Sequence, residues 1–485
     1  MRASSYCIVV RLPGEERALL FHGYSGAVDL VHEKVVELLD EPRRDIRRGG
    51  SKASEATIAL LTKRGYLTDR SPVEEQEFVR ELGERVHRVS RRHAPAGFLI
   101  IPTYSCNLRC PYCYEKTLRR HGTEWMEKCM DRETADAAFE AMDRIHPGSG
   151  KRKSLSFYGG EPLQRENRAI IEHIFQRALE KGFTAFSAIT NGVDLDQYLD
   201  LLGPERRIRF IQVTLDGPPE VHDQRRFFAD GSGTFHRIIE NITKALETQV
   251  QVSVRVNVDR SNLEGLAALR AILRERGWDR QANFRAYCSP VHGSLDGCRV
   301  AHRESFEGHL DMQRAIEQTL QDRGEPLEVY AVTNTLTRVL VAHLRHEGIP
   351  RWKTGFCGSN MAMHLLDPHG DIYPCWEVVG HVEHRIGRYE KGSVWMEPIQ
   401  AEKWHERSVV RVRGCLECAY LFFCGGGCEA VAYQKRGFLD GPECSDFPEI
   451  FQRAALKAYA EFLRNREEGS SPNSGGREQG SPWKS

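Results

Sequence analysis

The chain contains 485 residues, and its 68 lysines and arginines balance 68 aspartates and glutamates. A net charge of zero argues against nucleic acid as the main partner, because nucleic-acid-binding proteins usually carry a basic excess. No stretch approaches the roughly 18 consecutive apolar residues of a membrane-spanning helix, so no membrane partner is expected either. The length predicts two to four domains.

The fourteen cysteines are the most informative feature of the composition. Arg11 interrupts the first apolar run, so the N-terminus lacks the core of a signal peptide and a cytoplasmic location is expected. Cytoplasmic thiols stay reduced. Many cysteines in such a chain therefore favour metal ligands over disulfides.

The pattern of residues 1–94 predicts a small α+β module of winged-helix-like outline. Apolar residues alternate in two short strands and then recur three and four positions apart in helices. The predicted order is a strand at 6–12, a strand at 18–22, a helix at 31–39, a helix at 54–65, a short return at 66–69 and a linking helix from Pro72 to about His93. A plain N-terminal cap on the next domain remains an alternative.

From residue 95 to about 300 the pattern alternates between strands and helices. The predicted strands are 97–102, 155–158, 185–189, 208–214, 250–258 and 282–287, with helices at 132–145, 167–181, 234–247 and 263–276. Six such units predict an α/β fold, a partial parallel (β/α)6 barrel. In barrels of this kind the functional site lies at the C-terminal ends of the strands.

Three cysteines, Cys106, Cys110 and Cys113, follow the first predicted strand with the spacing C-x3-C-x2-C. Three thiolates from one short loop can hold three irons of a [4Fe–4S] cluster and leave the fourth iron open. A zinc knuckle that lacks its fourth ligand, or three unrelated buried cysteines, are the alternatives. Zinc sites usually pair C-x2-C with a second pair, which this loop does not offer.

This loop, with the aromatic Tyr112 before its third cysteine, resembles that of the radical S-adenosylmethionine (SAM) enzymes. The resemblance implies that Cys106, Cys110 and Cys113 are the catalytic metal ligands and that Tyr112 lies beside the cofactor. It also implies that the open iron binds the amino and carboxylate groups of SAM. An electron then cleaves SAM to a 5′-deoxyadenosyl radical, which takes a hydrogen atom from the substrate.

Two other strand ends carry motifs that match this family. Gly159, Gly160, Glu161 and Pro162 follow the second strand. The glycines let the backbone approach a ligand closely, and the glutamate can accept hydrogen bonds from the SAM ammonium. Thr190-Asn191-Gly192 ends the third strand. Each motif taken alone is also an ordinary turn.

The fourth and fifth strands supply further candidates for contact with SAM or substrate. Asp216 lies in a Leu-Asp-Gly-Pro turn after the fourth strand. In the fifth strand the valines at 252, 254, 256 and 258 share one face, and Arg255 and Asn257 share the other. We expect the valines to pack under the helices and the polar face to line the barrel. Its polar side chains there either contact SAM or form hydrogen bonds only with each other.

The C-terminal third contains a second, denser set of cysteines. Its members are Cys357, Cys375, Cys415, Cys418, Cys424, Cys428 and Cys444. Seven is an awkward number for tetrahedral zinc sites, whereas two four-iron clusters use up to eight ligands. The spacing resembles the SPASM domain, the auxiliary-cluster extension of radical SAM enzymes that modify peptides and proteins.

The SPASM resemblance implies two auxiliary [4Fe–4S] clusters, and therefore three clusters in the whole chain. The first would be held by Cys357, Cys375 and Cys428, and the second by Cys415, Cys418, Cys424 and Cys444. Because 358–374 contains no cysteine, the first cluster either keeps an open iron or takes a ligand from elsewhere, with Cys288, Cys298 and a substrate thiol as candidates. Cys7 and Cys129 are expected to be ordinary buried cysteines.

One departure from the family concerns the substrate. The sulfatase-activating branch has an aspartate after the second SPASM cysteine, where this chain has Trp376 and then Glu377. The sulfatase-activating reaction is therefore the second choice, with Glu377 as the residue that can stand in. The first choice is a maturase that forms an oxidative cross-link, either carbon–carbon, thioether or ether, in a ribosomally made precursor peptide.

The resemblance also implies partners and a domain order. The partners are the precursor peptide and an external electron donor of the flavodoxin or ferredoxin type. The module at 1–94 resembles domains that bind a leader peptide as an added strand. The predicted domains are 1–94, the barrel at 95–300, a helical bridge at 301–350, the SPASM domain at 351–450, and a terminal helix with a disordered tail at 451–485.

Overall fold

A computed structural model provides the coordinates of the chain. It describes residues 1–40, 54–147, 153–205, 207–291, 305–323, 334–345, 352–444 and 446–469. The described residues form two compact units. The first is drawn from Met1–Glu75, Thr333–Trp352 and Asp446–Ser485, and the second from Gln76–Val332 and Lys353–Ser445. The predicted domain boundaries remain predictions.

The first unit is built on a three-stranded antiparallel sheet. Its elements are β1 Arg2–Ala3, β2 Cys7–Arg11, β3 Arg17–His22, β4 Val28–His32, α1 Glu33–Asp40, α2 Glu55–Arg64 and β5 Leu67–Thr68, joined by α11 Asn334–Leu344 and α15 Phe447–Gly469. The sheet order is β2-β3-β4, and β1 pairs separately with β5. α3, Pro72–His93, has the extent predicted for the linking helix.

Two details of the predicted N-terminal module are wrong. The sheet has three strands rather than two, and the helix predicted at 31–39 begins only at Glu33, because residues 28–32 form β4. The apolar residues at 28, 30 and 31 satisfy both a strand and a helix pattern, and pairing with β3 decides between them. The tail predicted as disordered lies outside the described residues from 470 on.

α2 shows how the sequence limits a helix at both ends. The Ser54 side chain accepts a hydrogen bond from the Thr57 backbone N–H, which satisfies one of the free donors of the first turn. Gly65 ends the helix with φ 93°, a left-handed conformation that other residues adopt at a cost. The helix predicted between Ser54 and Gly65 is therefore confirmed.

The second unit contains a ten-stranded sheet in the order β11-β10-β9-β8-β7-β6-β12-β13-β14-β15. Its first six strands along the chain are β6 Ala96–Ile100, β7 Lys153–Phe157, β8 Ala185–Thr190, β9 Ile208–Thr214, β10 Gln251–Val258 and β11 Phe284–Pro290. Each of them pairs in parallel with its neighbour, which confirms the α/β class with a parallel sheet.

Helices lie between most of these strands, as the alternation predicts, and one more follows β11. They are α4 Thr123–Glu127, α5 Arg132–Ile145, α6 Arg168–Glu180, α7 Pro219–Arg225, α8 Phe235–Glu247, α9 Leu266–Glu275 and α10 His309–Asp322. The valines at 252, 254, 256 and 258 are all buried, as expected for the face of β10 under the helices. Among the described residues, no helix has the length and apolar character that crossing a membrane requires.

The cysteine-rich region continues the same sheet. β12 Met363–Leu366 pairs in parallel with β6, and β13 Asp371–Tyr373, β14 Gly387–Glu390 and β15 Ser393–Met396 follow as antiparallel strands. Three short helices come next, α12 Pro398–His405, α13 Leu421–Cys424 and α14 Glu429–Arg436. The shared sheet gives the cysteine-rich region and the parallel strands one continuous core.

Candidate active site

The three cysteines of the C-x3-C-x2-C loop line a single cavity. The loop leaves the C-terminal end of β6, and Cys106, Cys110 and Cys113 face a space of about 310 Å³ that Glu115 and Gly160 also border. The predicted placement at the C-terminal ends of parallel strands is therefore observed. The role of the three thiols as metal ligands remains a prediction.

Burial and negative neighbours make these thiols costly to ionise without a bound cation. Burial and, to a smaller extent, the charge of Glu161 raise the pKa of Cys106 to about 12. Burial also raises the pKa of Cys110 and of Cys113. A coordinating metal deprotonates a thiol outright. Three converging thiols with raised pKa values fit an iron–sulfur cluster, whose irons would supply the missing positive charge.

The two glycines after β7 pack closely against the backbone of the cysteine loop. A Cβ on Gly159 would lie 2.6 Å from the Thr103 carbonyl oxygen, and one on Gly160 would lie 2.3 Å from that of Ser105. The Gly160 N–H donates to the Thr103 carbonyl at 3.1 Å, and the Glu161 N–H donates to the Ser105 carbonyl at 2.9 Å. Glycine is therefore required at both positions because the backbone of the cysteine loop lies too close for a Cβ.

Replacing Gly160 with alanine therefore displaces the cysteine loop. The added methyl group meets two backbone carbonyls, of Tyr104 and Ser105, neither of which can rotate away as a side chain would. We expect reconstituted Gly160→Ala protein to lose the iron held at this loop, as measured by iron analysis. Gly97→Ala is the matched control, since its Cβ would meet only the Ser154 hydroxyl, at 3.7 Å. Equal iron in both variants would contradict this account.

The Glu161 side chain connects the ends of β7 and β8. Its Oε1 accepts from the Leu163 N–H at 2.8 Å and from the Thr190 hydroxyl at 2.7 Å, while Oε2 accepts from the Asn191 N–H. Burial raises the pKa of this carboxyl group to about 7, although these donors lower it. The neighbouring Pro162 carbonyl accepts from Asn167 at 3.2 Å. Contact of Glu161 with a SAM ammonium remains a prediction.

Asn191 reaches the cysteine loop directly. Its amide Nδ2 donates to Asn107 Oδ1 at 2.7 Å and lies 3.8 Å from the Cys106 sulfur. The Leu108 backbone N–H lies 3.4 Å from the same sulfur. Hydrogen bonds to ligand sulfurs tune iron–sulfur clusters, so β8 contributes to the loop through this side chain.

Tyr112 is the centre of a second network. Its hydroxyl donates to Asp216 Oδ2 and receives hydrogen bonds from Arg226 at 2.8 Å and from Asn257 at 3.3 Å. Asp216 is fully buried, and its Oδ1 accepts from the Asn257 backbone N–H at 2.9 Å. The structure thus brings together three of the predicted residues, Tyr112, Asp216 and Asn257. Their contact with SAM is untested.

The Arg255 guanidinium donates its hydrogen bonds mainly to neighbouring side chains. Its Nε donates to Asn257 Oδ1 at 2.8 Å and its Nη2 to the Ser289 hydroxyl at 2.9 Å. Its charge also counteracts the effect of burial, which raises the pKa of Glu377. Arg255 therefore lies on the polar face of β10 and interacts electrostatically with Glu377 of the cysteine-rich region.

The sequence pattern missed the loop after α7. Arg226 bonds Tyr112, and the Phe227 carbonyl accepts from the Arg109 N–H at 2.9 Å. Leu108 and Phe228 form an isolated β-bridge. Two adjacent arginines after a helix resemble solvent-facing charge, and only the fold shows that the segment packs on the cysteine loop.

The seven later cysteines gather in two groups. Cys357, Cys375 and Cys428 form the first. Burial raises the pKa of Cys375, and the charges of Glu377 and of the other two thiols raise it further. Cys357 Sγ also lies 3.0 Å from the Ser359 hydroxyl, which donates to Glu429 at 2.9 Å.

Cys415, Cys418, Cys424 and Cys444 form the second group. Burial and, to a smaller extent, the charges of the other three raise the pKa of Cys415 to about 12. These are the sets expected from the SPASM resemblance, but their ligand roles remain predictions. In the part of the chain that the structure describes, no three His, Cys, Asp or Glu side chains are placed to bind a single metal ion. In a four-iron cluster each thiolate takes its own iron.

The remaining cysteines differ in environment. Cys288 is buried in the core on β11, and burial alone raises its pKa. Burial raises the pKa of Cys7 to about 12, and its thiol lies 3.5 Å from the Tyr66 carbonyl. Cys129 is exposed, which corrects the expectation that it is buried. Cys298 lies outside the described residues.

A group of aromatic and acidic residues lies between the Cys113 and Cys375 segments. The hydroxyl groups of Tyr114 and Tyr158 share a hydrogen bond, and the ring centroids of Tyr158 and Trp376 are 6.3 Å apart. The Trp376 indole N–H donates to Glu377 Oε1 at 3.2 Å. Of these residues, the sequence analysis identified only Trp376 and Glu377 as candidates.

Comparison with known proteins agrees with this geometry. A model of the radical SAM superfamily matches residues 100–268. Mycofactocin maturase MftC of Mycolicibacterium smegmatis is 26% identical over 359 residues, which cover 70% of this chain and 80% of that protein. The serine-type anaerobic sulfatase-maturating enzyme of Bacteroides thetaiotaomicron is 23% identical over 384 residues, 74% of this chain and 88% of that protein.

A solved structure shares the fold. Native anSMEcpe with bound AdoMet and the Cp18Cys peptide aligns with a TM-score of 0.56 and 17% identity, covering 77% of this chain and 99% of that one. At this identity the likeness concerns the fold alone. The family match spans β6 to the start of α9, which includes the cysteine loop and the Gly-Gly-Glu-Pro segment.

Proposed function

We propose that this chain, whose residues 100–268 match the radical SAM superfamily model, is a radical SAM enzyme that matures a ribosomally made precursor peptide. The observation that carries this proposal is the cavity shared by the three loop cysteines, with Gly159–Glu161 bonded to the backbone of the loop. The similarity to a mycofactocin maturase and to a sulfatase-maturating enzyme supports a peptide or protein as substrate.

The residues of the cavity divide into holding and orienting roles. Cys106, Cys110 and Cys113 hold the cluster, and Asn191 donates toward the Cys106 sulfur. Bound SAM supplies a 5′-deoxyadenosyl radical when an electron from an external flavodoxin-type or ferredoxin-type donor cleaves it. The buried Glu161 carboxylate accepts hydrogen bonds from Thr190 and Leu163, which orient it at the same strand ends. There it would bind the SAM ammonium.

The cysteine-rich region supports an oxidative product. Hydrogen abstraction leaves one unpaired electron on the peptide. Forming the cross-link requires removal of this electron, and two auxiliary clusters provide an acceptor for it. Cys357, Cys375 and Cys428 leave the first of them one ligand short, so an open iron is available for a substrate thiolate. Trp376 and the pair of tyrosines at 114 and 158 form one wall between this region and the cysteine loop.

The N-terminal module is proposed to bind the leader of the precursor. β4 lies at one edge of the three-stranded sheet, and its Leu30 is 43% exposed. An exposed edge offers unpaired backbone N–H and C=O groups to an added strand. Hydrogen exchange of the β4 amides should slow when the precursor is added, while a peptide that lacks the leader should leave them unchanged.

We expect a short open reading frame for the precursor peptide beside the gene, and the decisive experiment uses the peptide that it encodes. Anaerobically reconstituted protein is incubated with SAM, dithionite and this synthetic peptide, and the peptide is examined by mass spectrometry. We expect loss of two hydrogen atoms per cross-link together with 5′-deoxyadenosine. A wild-type protein that loads iron but cleaves no SAM would overturn the radical SAM assignment of the site.

The sulfatase-activating reaction is the second candidate. Its support is the similarity to the sulfatase-maturating enzyme and the placement of Glu377 beside Cys375 and Arg255. The two candidates predict different products, because oxidation of a serine or cysteine to an aldehyde leaves the peptide open to hydrazine labelling. A labelled product would favour the second candidate, and an unlabelled cross-link would favour the first.

A further inference from the structure

Exposed cations surround the opening of the cavity that the three loop cysteines share. Arg109, Lys116 and Arg119 border this cavity and are exposed to solvent. The carboxylates on the same border are Glu115, which is buried, and Glu127, which is exposed. The exposed border therefore carries three positive charges against one negative charge. Because the chain as a whole has a net charge of zero, this positive excess is local.

A short helix places two of these cations side by side. Residues Tyr114–His121 form a 3₁₀ helix directly after the third loop cysteine. Such a helix has three residues per turn, so side chains three positions apart lie one above the other. Glu115 and Leu118 are buried on one face, and Lys116 and Arg119 are exposed on the next. The helix thus fixes a pair of cations on the solvent side of the loop.

The protein supplies no counter-charge for these cations in the part of the chain that the structure describes. There, the side chains of Lys116 and Arg119 form no ion pair and no hydrogen bond. The Arg109 guanidinium donates to two carbonyls of the cysteine loop, that of Cys106 at 2.6 Å and that of Leu108 at 2.9 Å, and pairs with no carboxylate. Solvent-facing cations without partners create a positive potential that attracts an anionic partner.

We propose that Arg109, Lys116 and Arg119 form a cationic rim on which an acidic electron-carrier protein docks. The inference rests on the proposed function, which puts an iron–sulfur cluster in this cavity. A carrier seated on the cationic rim lies directly over the cavity. One electron then passes from the reduced carrier to the cluster, so the carrier is oxidised, the cluster is reduced, and no bond or proton is exchanged. Electron-transfer complexes have small interfaces, and opposite charges speed their association, which suits a few cations around one opening.

The test combines Lys116→Glu with Arg119→Glu in full-length reconstituted protein. SAM cleavage is driven either by a reduced flavodoxin of net negative charge, below its saturating concentration, or by dithionite, which needs no protein interface. At low ionic strength we expect the flavodoxin-driven rate of 5′-deoxyadenosine formation to fall about tenfold or more, and the dithionite-driven rate to match wild type. Added salt should slow the flavodoxin-driven wild type and accelerate the variant, because screening weakens attraction in one and repulsion in the other.

Lys244→Glu is the matched control, because Lys244 is an exposed cation on α8, away from the cysteine loop, and both rates should be unchanged. Binding provides a readout that does not depend on catalysis. The affinity of oxidised flavodoxin, measured by calorimetry, should fall in the double variant and stay at the wild-type value in Lys244→Glu. Arg109 is left in place because its guanidinium donates to the backbone of the cysteine loop.

An unchanged flavodoxin-driven rate in the double variant overturns the proposal. Equal losses with flavodoxin and dithionite also overturn it, and a raised KM for the precursor peptide under dithionite would assign the cationic rim to the peptide instead. If the double variant loads no iron, Lys116→Gln with Arg119→Gln replaces it. A weaker salt dependence of the flavodoxin-driven rate then supports the proposal, and an unchanged one overturns it. A wild type that loads iron but cleaves no SAM with dithionite would instead refute the proposed function.

Discussion

We expect Cys110→Ala protein to cleave no SAM above the background of a protein-free mixture. The thiol lies in the middle of the loop, and both of its partners, Cys106 and Cys113, face the same cavity. Even removal of an outer-shell partner of a metal site costs about 10-fold to 100-fold, so loss of a ligand should exceed the upper end of that range. The measurement is the rate of 5′-deoxyadenosine formation under dithionite, followed by chromatography.

Cys129→Ala is the control for this prediction. Cys129 lies in the same connection between β6 and β7 but is exposed, with its thiol 3.6 Å from Asn167 Oδ1. It should keep both the iron and the cleavage rate of the wild type. If Cys110→Ala still cleaves SAM at the wild-type rate, the three cysteines do not form the site, and the function proposed for the chain is wrong.

Much of the fold was predictable because the parallel strands and the helices between them follow simple periodicities. The valines of β10 alternate strictly, and residues 132–145 keep apolar side chains on one helical face. β4 was missed because Val28–His32 is short and runs directly into α1. Local pattern does not separate strand from helix there, and pairing with β3 over a longer range decides the structure.

The sequence predicted those site residues that can be recognised from residue type and spacing. Cysteine spacing alone brought Cys106, Cys110 and Cys113 to one place, and strand order brought Asn191 to the same edge of the sheet. The roles of Gly159 and Gly160 were not predictable, because sequence shows that a close approach is allowed but not what approaches. The structure shows that their neighbour is the backbone of 103–105.

Arg226 and Tyr158 could not be recognised in advance for a related reason. A charged residue after a short helix and a tyrosine at a strand end are usually surface features. Each becomes important through a partner far away in sequence, Tyr112 for the arginine and Tyr114 for the tyrosine. Periodicity and spacing carry no information on such pairs.

Gly427→Ala should destroy the second auxiliary site while leaving SAM cleavage intact. Gly427 has φ 77°, and a Cβ there would lie 2.0 Å from the Glu443 carbonyl oxygen. That carbonyl belongs to the residue before Cys444, and the Glu443 N–H donates to Gly426 at 3.2 Å. The backbone on either side cannot yield without moving Cys444 away from its three partners.

Arg407 explains why the clash cannot be relieved by a small shift. Its guanidinium, buried in the same region, donates to the Gly427 carbonyl at 3.1 Å, to that of Gly426 at 3.2 Å and to that of Gly441 at 2.8 Å. The arginine thus joins the glycine loop to the segment that precedes Cys444. Separating the two segments breaks these buried charge-assisted hydrogen bonds, which are among the stronger ones in proteins.

Gly437→Ala separates this clash from the cost of the left-handed conformation itself. Gly437 has the same φ of 77°, but a Cβ there would meet nothing within 4 Å. It should therefore lose only about 1–2 kcal/mol of stability and keep its clusters. We expect iron to fall from about twelve per chain to about eight in Gly427→Ala alone, with one auxiliary EPR signal absent. Full iron in Gly427→Ala would show that Cys444 is not a ligand, because its displacement would then have no consequence for the second cluster.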